Sequence, residues 1–264
     1  MLIQVDGVRL FALEAGQGEP ALVFIHGNGA DHTAWHHQIA YFSRRRKVVA
    51  VDLRGHGESD KPRQEYTMAG FADDLAWLCG RLGLRKPVVI GHSMGGLIAL
   101  ELLARAPDLP AAIVAVDSPI VMPRELVEHL RPLTRSFRGP NYREAARRAV
   151  ENMFLPTDDP ARRARIVDGM LAQPQHVMAS ACEQLLEAPS AAAATAPEIA
   201  VPVLAIASAG GHMADLNRFR ELCPRLTVGQ TVGAGHFNQL EVPDQVNAMI
   251  ERFLTIALPD PVGT

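Results

Sequence analysis

The segment Gly91-His92-Ser93-Met94-Gly95 places a serine hydroxyl among small neighbours. It follows an apolar run at 87–90 and precedes a helical pattern, which is the context of a nucleophile on a strand-to-helix turn. Such a turn projects the serine Oγ from the sheet edge, and the glycines let strand and helix approach closely. The amino terminus of the helix would stabilise negative charge that develops nearby. The segment therefore predicts a nucleophile at Ser93.

A serine hydroxyl at its ordinary pKa is a weak nucleophile, so a base must take its proton and an acid must orient that base. The chain has ten histidines. His26 and His92 adjoin other candidate site residues, and we expect structural or pocket-lining roles for both. His236 lies in a glycine-rich loop at 233–237, between an apolar run and a helical pattern, and is the predicted base.

The elements that must position these residues follow from short apolar runs, which alternate with helical patterns along most of the chain. Strands that helices cover on both faces have apolar runs of this kind, without polar alternation. Residues 2–13 predict an antiparallel hairpin that turns at Asp6-Gly7. The predicted class is α/β, with a doubly wound, mostly parallel sheet. The runs lie at 21–25, 47–51, 87–90, 112–116 and 202–207.

One long stretch interrupts the alternation, because the 86 residues between Val116 and Val203 show no strand pattern. A structureless loop of that length is improbable, so the stretch predicts a helical cap inserted before the penultimate strand. The predicted division is a core at 1–117 and 201–264 and a cap at 118–200. Within the cap, the small residues at 190–197 predict a linker. Ten arginines against six acids at 124–165 indicate solvated helix faces or an anion-attracting face over a cleft.

Taken together, these motifs resemble the α/β-hydrolase superfamily over nearly the whole chain. The resemblance rests on His26-Gly27-Asn28-Gly29, on the turn at 52–59, on the Ser93 segment and on the Gly235-His236 pair. It implies that Ser93 is the nucleophile and His236 the base. It also implies that the helical insert covers the active site.

The negative charge that forms on a reacting carbonyl oxygen needs two preorganised N–H donors. One is predicted at Met94, directly after the nucleophile, and the other at Asn28, in the loop after the third strand. The Asn28 side chain could add a third donor. The alternative for Asn28 is a residue that only forms the turn.

Two carboxylates compete for the role of the triad acid. Members of the family usually carry the acid just after the strand at 203–207, but the chain has Ser-Ala-Gly-Gly at 208–211. Asp117 ends the preceding strand, where some members of the family carry the acid, and its alternative role is that of a turn former. Asp215 lies farther along the loop and is also placed to cap a helix. A Ser–His dyad without an acid is the third possibility.

Composition excludes several classes of function. The chain has 264 residues, 48% of them hydrophobic, and a net charge of −3. Nothing in this balance would draw in nucleic acid or an anionic membrane, and no apolar run is long enough for a membrane span. Three scattered cysteines indicate buried thiols rather than disulfides or a metal site, and with the absence of a signal sequence they predict a cytoplasmic location.

The predicted activity is hydrolysis of small carboxylic esters by a serine hydrolase, through an acyl-enzyme and without a metal or organic cofactor. The expected partner is a small-molecule ester. An alternative on the same fold is a C–C bond hydrolase or a lactonase, although Asn28 and Phe237 differ from the usual C–C hydrolase pattern. Epoxide hydrolases and haloalkane dehalogenases need a carboxylate where this chain has Ser93. A receptor that keeps a hydrolase pocket is the non-enzyme alternative.

Overall fold

The computed structural model describes residues 1–5, 7–195, 199–211 and 214–258. Eight strands form one sheet in the order β1-β2-β4-β3-β5-β6-β7-β8. The strands are β1 (Leu2–Val5), β2 (Val8–Ala15), β3 (Leu22–Ile25), β4 (Val48–Val51), β5 (Val88–His92), β6 (Ala112–Val116), β7 (Val203–Ala207) and β8 (Leu226–Gln230). The helices are α1 (His36–Phe42), α2 (Met68–Arg81), α3 (Met94–Arg105), α4 (Arg124–Ser136), α5 (Tyr142–Glu151), α6 (Pro160–Leu171), α7 (Gln175–Thr195), α8 (Leu216–Leu222), α9 (Asn238–Glu241) and α10 (Pro243–Ala257).

The predicted doubly wound sheet is confirmed. Strands β3 to β8 are parallel, and the hairpin β1–β2 joins β4 in antiparallel pairing. Every residue of β3 is buried, because its alternate side chains enter two hydrophobic clusters on opposite faces of the sheet. Helices α2 and α3 cover one face, and α1 and α10 cover the other. The carboxyl ends of the parallel strands therefore meet at one edge, where Ser93 and Asp117 lie.

Four helices, α4 to α7, lie between β6 and β7, where the sequence predicts the cap. They share a hydrophobic cluster of their own, which Phe237 from the core also joins. Helix α7 contacts both the main core and the cap. Val177 and Ala181 pack into the main core, while Met178 packs into the hydrophobic cluster of the cap. The division at 118 and 200 thus stays a prediction, with α7 connecting the two parts.

The predicted linker at 190–197 is wrong over most of its length. Helix α7 continues to Thr195, and residues 196–198 lie outside the described part of the chain. Alanine has the highest helix propensity, and the run at 191–194 consists of alanines, so small residues here extend a helix instead of ending it.

Free thiols are present at all three cysteines, of which Cys79 and Cys223 are buried. Burial raises the pKa of the Cys79 thiol to about 12, which keeps it protonated. No helix in the described ranges has the length and apolar character needed to cross a membrane.

Candidate active site

Ser93 lies at the junction of β5 and α3, where the chain turns sharply. Its backbone has φ 51° and ψ −120°, a region that residues with a Cβ rarely adopt. Strain of this kind costs about 1–3 kcal/mol and persists only where the surroundings enforce it. One such restraint is the N–H of Ser93, which donates to Val116 O at 2.9 Å and ties the junction to the neighbouring strand β6.

The glycines around Ser93 are required by close backbone contacts. A Cβ on Gly91 would overlap the backbone of Gly95 in the first turn of α3. A Cβ on Gly95 would overlap the carbonyl oxygen of Ile25. Helix α3 therefore approaches both β5 and β3 more closely than any side chain would allow, and this approach fixes the position of Ser93.

Asp117, which is buried, and His236, which is partly buried, form a hydrogen-bonded pair. Asp117 Oδ2 accepts from His236 Nδ1 at 2.7 Å, and Asp117 Oδ1 accepts from the N–H of Ser208 at 2.8 Å. A carboxylate at Nδ1 fixes the imidazole ring and its tautomer, which leaves Nε2 free to accept a proton. The pair is thus arranged as an acid and the base that it orients.

Asp117 is ionised at neutral pH despite its burial. Burial alone would raise the pKa of Asp117, but the hydrogen bond and charge of His236 and the N–H of Ser208 together outweigh that effect. The pKa of Asp117 therefore lies below its ordinary value. The Asp117 carboxylate thus places a negative charge 2.7 Å from His236 Nδ1, where it can orient the imidazole.

The other candidate acid, Asp215, begins helix α8. Its Oδ1 accepts from the N–H groups of Asn217 and Arg218 at 3.1 and 3.0 Å, which is the geometry of a helix cap. The loop at 208–211, where the family usually carries the acid, contributes the backbone N–H of Ser208 to Asp117. The carboxylate in contact with His236 is thus that of Asp117.

Several groups hold the loop of His236 in place. His92 Nε2 donates to His236 O at 2.8 Å, and the N–H of His236 donates to Met153 O at 3.0 Å. The N–H of Gly235 donates to Glu241 Oε2 at 2.8 Å. Burial lowers the pKa of His92 to about 3, so His92 is a neutral donor. The expected structural role of His92 agrees with these contacts, and Met153 brings the cap into the support of His236.

The backbone donors of the predicted oxyanion hole are available. Within the described residues, the N–H groups of Asn28 and Met94 have no protein acceptor. The Asn28 side chain is already engaged, because Nδ2 donates to Cys182 Sγ at 2.9 Å and Oδ1 lies 3.1 Å from His56 Nε2. The Asn28 side chain thus braces its loop, and the Asn28 backbone remains the candidate donor.

Ser93 and His236 line one cavity of about 470 Å³, which lies between the strand ends and helices α4 to α7. Within the described residues no hydrogen bond joins Ser93 to His236, as is common before a substrate tightens such contacts. Asn28 and Asp117 also line this cavity. The structure therefore gathers four of the five predicted site residues around one space, with Met94 as the next residue after Ser93.

Three supporting contacts escaped sequence reasoning. Cys182 and Met153 come from the cap, and their contacts with the core join residues far apart in the chain. Ser208 contacts Asp117 through its backbone N–H, so the type of its side chain does not predict this contact. A signal did exist in the predicted sheet, because the carboxyl ends of neighbouring parallel strands bring Ser208 beside Asp117.

A model of the α/β-hydrolase fold matches residues 20–243, and the chain belongs to this family. Among curated proteins, epoxide hydrolase 4 of Mus musculus is 32% identical over 51% of this chain and 39% of its own length. The 2-(acetamidomethylene)succinate hydrolase of Mesorhizobium japonicum is 34% identical over 44% of this chain and 41% of its own. The chain thus spans about two fifths of the length of these two curated relatives.

Solved structures match over nearly the whole chain. A thermophilic esterase from Thermogutta terrifontis has a TM-score of 0.84 and 25% identity, covering 97% of both chains. The enol-lactonase of Burkholderia xenovorans LB400 has the same TM-score and identity, covering 97% of this chain and all of its own. These likenesses agree with the α/β-hydrolase fold that the family match shows.

Proposed function

We propose that the protein is a serine hydrolase that cleaves carboxylic esters through an acyl-enzyme. The observation that carries the proposal is the Asp117–His236 pair at 2.7 Å in the cavity that Ser93 also lines. Nucleophile, base and orienting acid are the three groups that acyl transfer needs. In this proposal residues 118–200 form the cap over the site.

In the first half of the reaction, Ser93 Oγ bonds to the acyl carbon while His236 Nε2 takes the hydroxyl proton. The carbonyl electron pair moves to the oxygen, and the N–H groups of Met94 and Asn28 stabilise the resulting oxyanion. When the carbonyl re-forms, the bond to the alcohol oxygen breaks and that oxygen takes the proton from His236. The alcohol leaves, and the acyl group remains on Ser93.

In the second half, water repeats the attack. His236 Nε2 takes a proton from water as the water oxygen bonds to the acyl carbon, and Ser93 Oγ recovers that proton when it leaves. Asp117 remains ionised throughout and stabilises the imidazolium at both stages. No metal or organic cofactor enters either half.

Lactone hydrolysis is the second candidate, because a lactone is a cyclic ester and the reaction steps are the same. The likeness to the enol-lactonase over 97% of this chain favours it. Epoxide opening is disfavoured although a curated relative is an epoxide hydrolase, since a serine stands where those enzymes need a carboxylate.

The test is steady-state hydrolysis of p-nitrophenyl esters from acetyl to octanoyl by the wild type and by Ser93→Ala. We expect an initial burst of p-nitrophenol from the wild type, and a loss of kcat of at least about 10⁴-fold in the variant. Equal, feeble rates in both proteins would overturn the proposal and favour a receptor role. Ligand-dependent thermal stabilisation without turnover would then be the expected behaviour.

A further inference from the structure

The walls of the cavity differ sharply in polarity from the surface of the cap. Most of the side chains that the cap contributes to the lining are apolar, among them Leu133, Phe137, Val150, Phe154, Met170 and Met178. Thr134 and Asn152 are polar residues of this wall, and the Thr134 hydroxyl donates to Arg131 O at 3.1 Å. The hydrogen-bond donor of the Thr134 hydroxyl is thus used within helix α4.

Among the described residues, none of the arginines of the cap lines this cavity. Arg138 pairs with Glu183, and Arg162 pairs with Asp158. Arg143 donates to Leu171 O at 3.0 Å. The anion-attracting face that the sequence left open therefore does not line the cavity in the described part of the chain.

Among the described residues of the lining, Asp117 is the one acidic side chain, and it already has two partners. A second negative charge in this space would be repelled by Asp117 and would meet no arginine or lysine among the described residues of the lining. An ionised carboxylate that loses its water without a partner pays a large desolvation cost. We therefore expect the cavity to bind anionic ligands weakly.

We infer that the cavity accepts the uncharged, apolar acyl part of an ester or lactone, several methylenes long, under helices α4 to α7. This inference rests on the proposed function and names its substrate class. A volume of about 470 Å³ exceeds what an acetyl group needs and lies in the usual range of small-molecule sites. Expected substrates are therefore longer than the small esters that the sequence predicts.

The first test compares kcat/KM for p-nitrophenyl acetate, butanoate and hexanoate. Burial of one methylene is worth about 0.8 kcal/mol, so kcat/KM should rise about fourfold per methylene. A matched probe, mono-p-nitrophenyl adipate, ends a chain of equal carbon number in a carboxylate, and we expect its kcat/KM to be at least about 100-fold below that of the hexanoate. A flat profile, or equal rates for hexanoate and adipate, would overturn the inference while ester hydrolysis stood.

A charge placed inside the wall sharpens the test. Leu133→Arg should raise kcat/KM for the adipate ester and lower it for the hexanoate, so that the ratio changes by about 10-fold or more. Ser136→Arg is the control, because it adds the same charge to the exposed side of the same helix. A ratio that moves equally in both variants would mean that the charge acts at long range and would contradict a binding wall at Leu133.

A binding measurement separates this inference from the proposed function, because it needs no turnover. Calorimetric titration of Ser93→Ala with ethyl hexanoate should show binding with a negative heat-capacity change, and monoethyl adipate should bind at least about 100-fold more weakly. Absent binding of ethyl hexanoate, or equal binding of both, would refute the apolar acyl site. Binding as expected without esterase activity in the wild type would instead refute the proposed function alone.

Discussion

The strand ends of the sheet and helices α4 to α7, which form the predicted cap, are opposite walls of one cavity, and different physical constraints fix their residues. In the core wall, Ser93 is held by backbone contacts so close that only glycine fits at Gly91 and Gly95. In the cap wall, Leu133 and Met178 are held by apolar packing, which many side chains of similar size could provide. This contrast suggests that the core fixes the chemistry and the cap selects the substrate.

The largest effect should come from the acid of the core wall. Asp117→Asn should lower kcat by up to about 10⁴-fold, because an amide cannot hold the same tautomer of His236 or stabilise its imidazolium. Asp215→Asn is the matched control, and as an exposed helix cap it should leave kcat within about twofold. Steady-state ester hydrolysis measures both. Inactivity of the Asp215 variant with a mild effect at Asp117 would reverse the assignment.

The next effect concerns stability against acid, which should depend on buried histidines of the core. Burial lowers the pKa of His56 and of His92 to about 3, against about 6.5 in the unfolded chain. Between these values only the unfolded state binds the protons. The free energy of unfolding should therefore fall with decreasing pH, by about 1.4 kcal/mol per pH unit for each imidazole, from about pH 6 downward.

Urea unfolding at pH 7, 6 and 5 measures this slope, and His56→Gln tests its origin. The variant should unfold more easily at pH 7. Its free energy of unfolding should fall less steeply with decreasing pH than that of the wild type, by about 1.4 kcal/mol per pH unit. Arg148→Ala, which removes an exposed ion pair of the cap, is the control and should leave the slope unchanged. An unaltered slope in the His56 variant would contradict the assigned cause.

A smaller loss of stability should follow from adding one methyl group in the first turn of α3, next to Ser93. Gly95→Ala places a Cβ against Ile25 O, and we expect a destabilisation of about 3 kcal/mol. Gly80→Ala is the control, since a Cβ there meets nothing within 4 Å and the helix should gain about 1 kcal/mol. Equal stability of the two variants in urea would show that the close approach at Gly95 is dispensable.

The smallest effect should come from shortening one side chain of the cap wall. Leu133→Ala should lower the preference for hexanoyl over acetyl esters by about 10-fold through lost apolar contact, while kcat for the acetyl ester stays within about twofold. The ratio of kcat/KM values measures the change. An equal loss for both esters would mean that the cap acts on the chemistry, and the contrast between the two walls would fail.

Sequence alone predicts the core well because steric rules act there over short distances. The position of Ser93 follows from adjacent residues, and the α/β class follows from apolar runs. The choice between Asp117 and Asp215 could not follow, because it depends on which loop returns to His236 in three dimensions. The Asn28–Cys182 contact joins residues 154 positions apart, and no local pattern encodes it.

Sequence alone predicts the cap less completely than the core. The helices of the cap could be predicted, since their patterns are local. Whether its arginines line the cavity could not be predicted. Both readings of the residues at 124–165 were open, and helix packing decides between them. The same limit applies to the end of α7, where the alanine run has high helix propensity although the sequence suggests a linker.

Helix α7 packs into both the main core and the hydrophobic cluster of the cap, and this affects how ligands can reach the cavity. Val177 and Ala181 anchor this helix in the core, so α7 cannot swing outward with the rest of the cap without local unfolding. We therefore expect that α4 to α6 move to admit ligands while α7 stays in place. Amide hydrogen exchange should accordingly be slow at 177–186 and faster in α4 to α6, and the rate of product escape should depend on the latter segment alone.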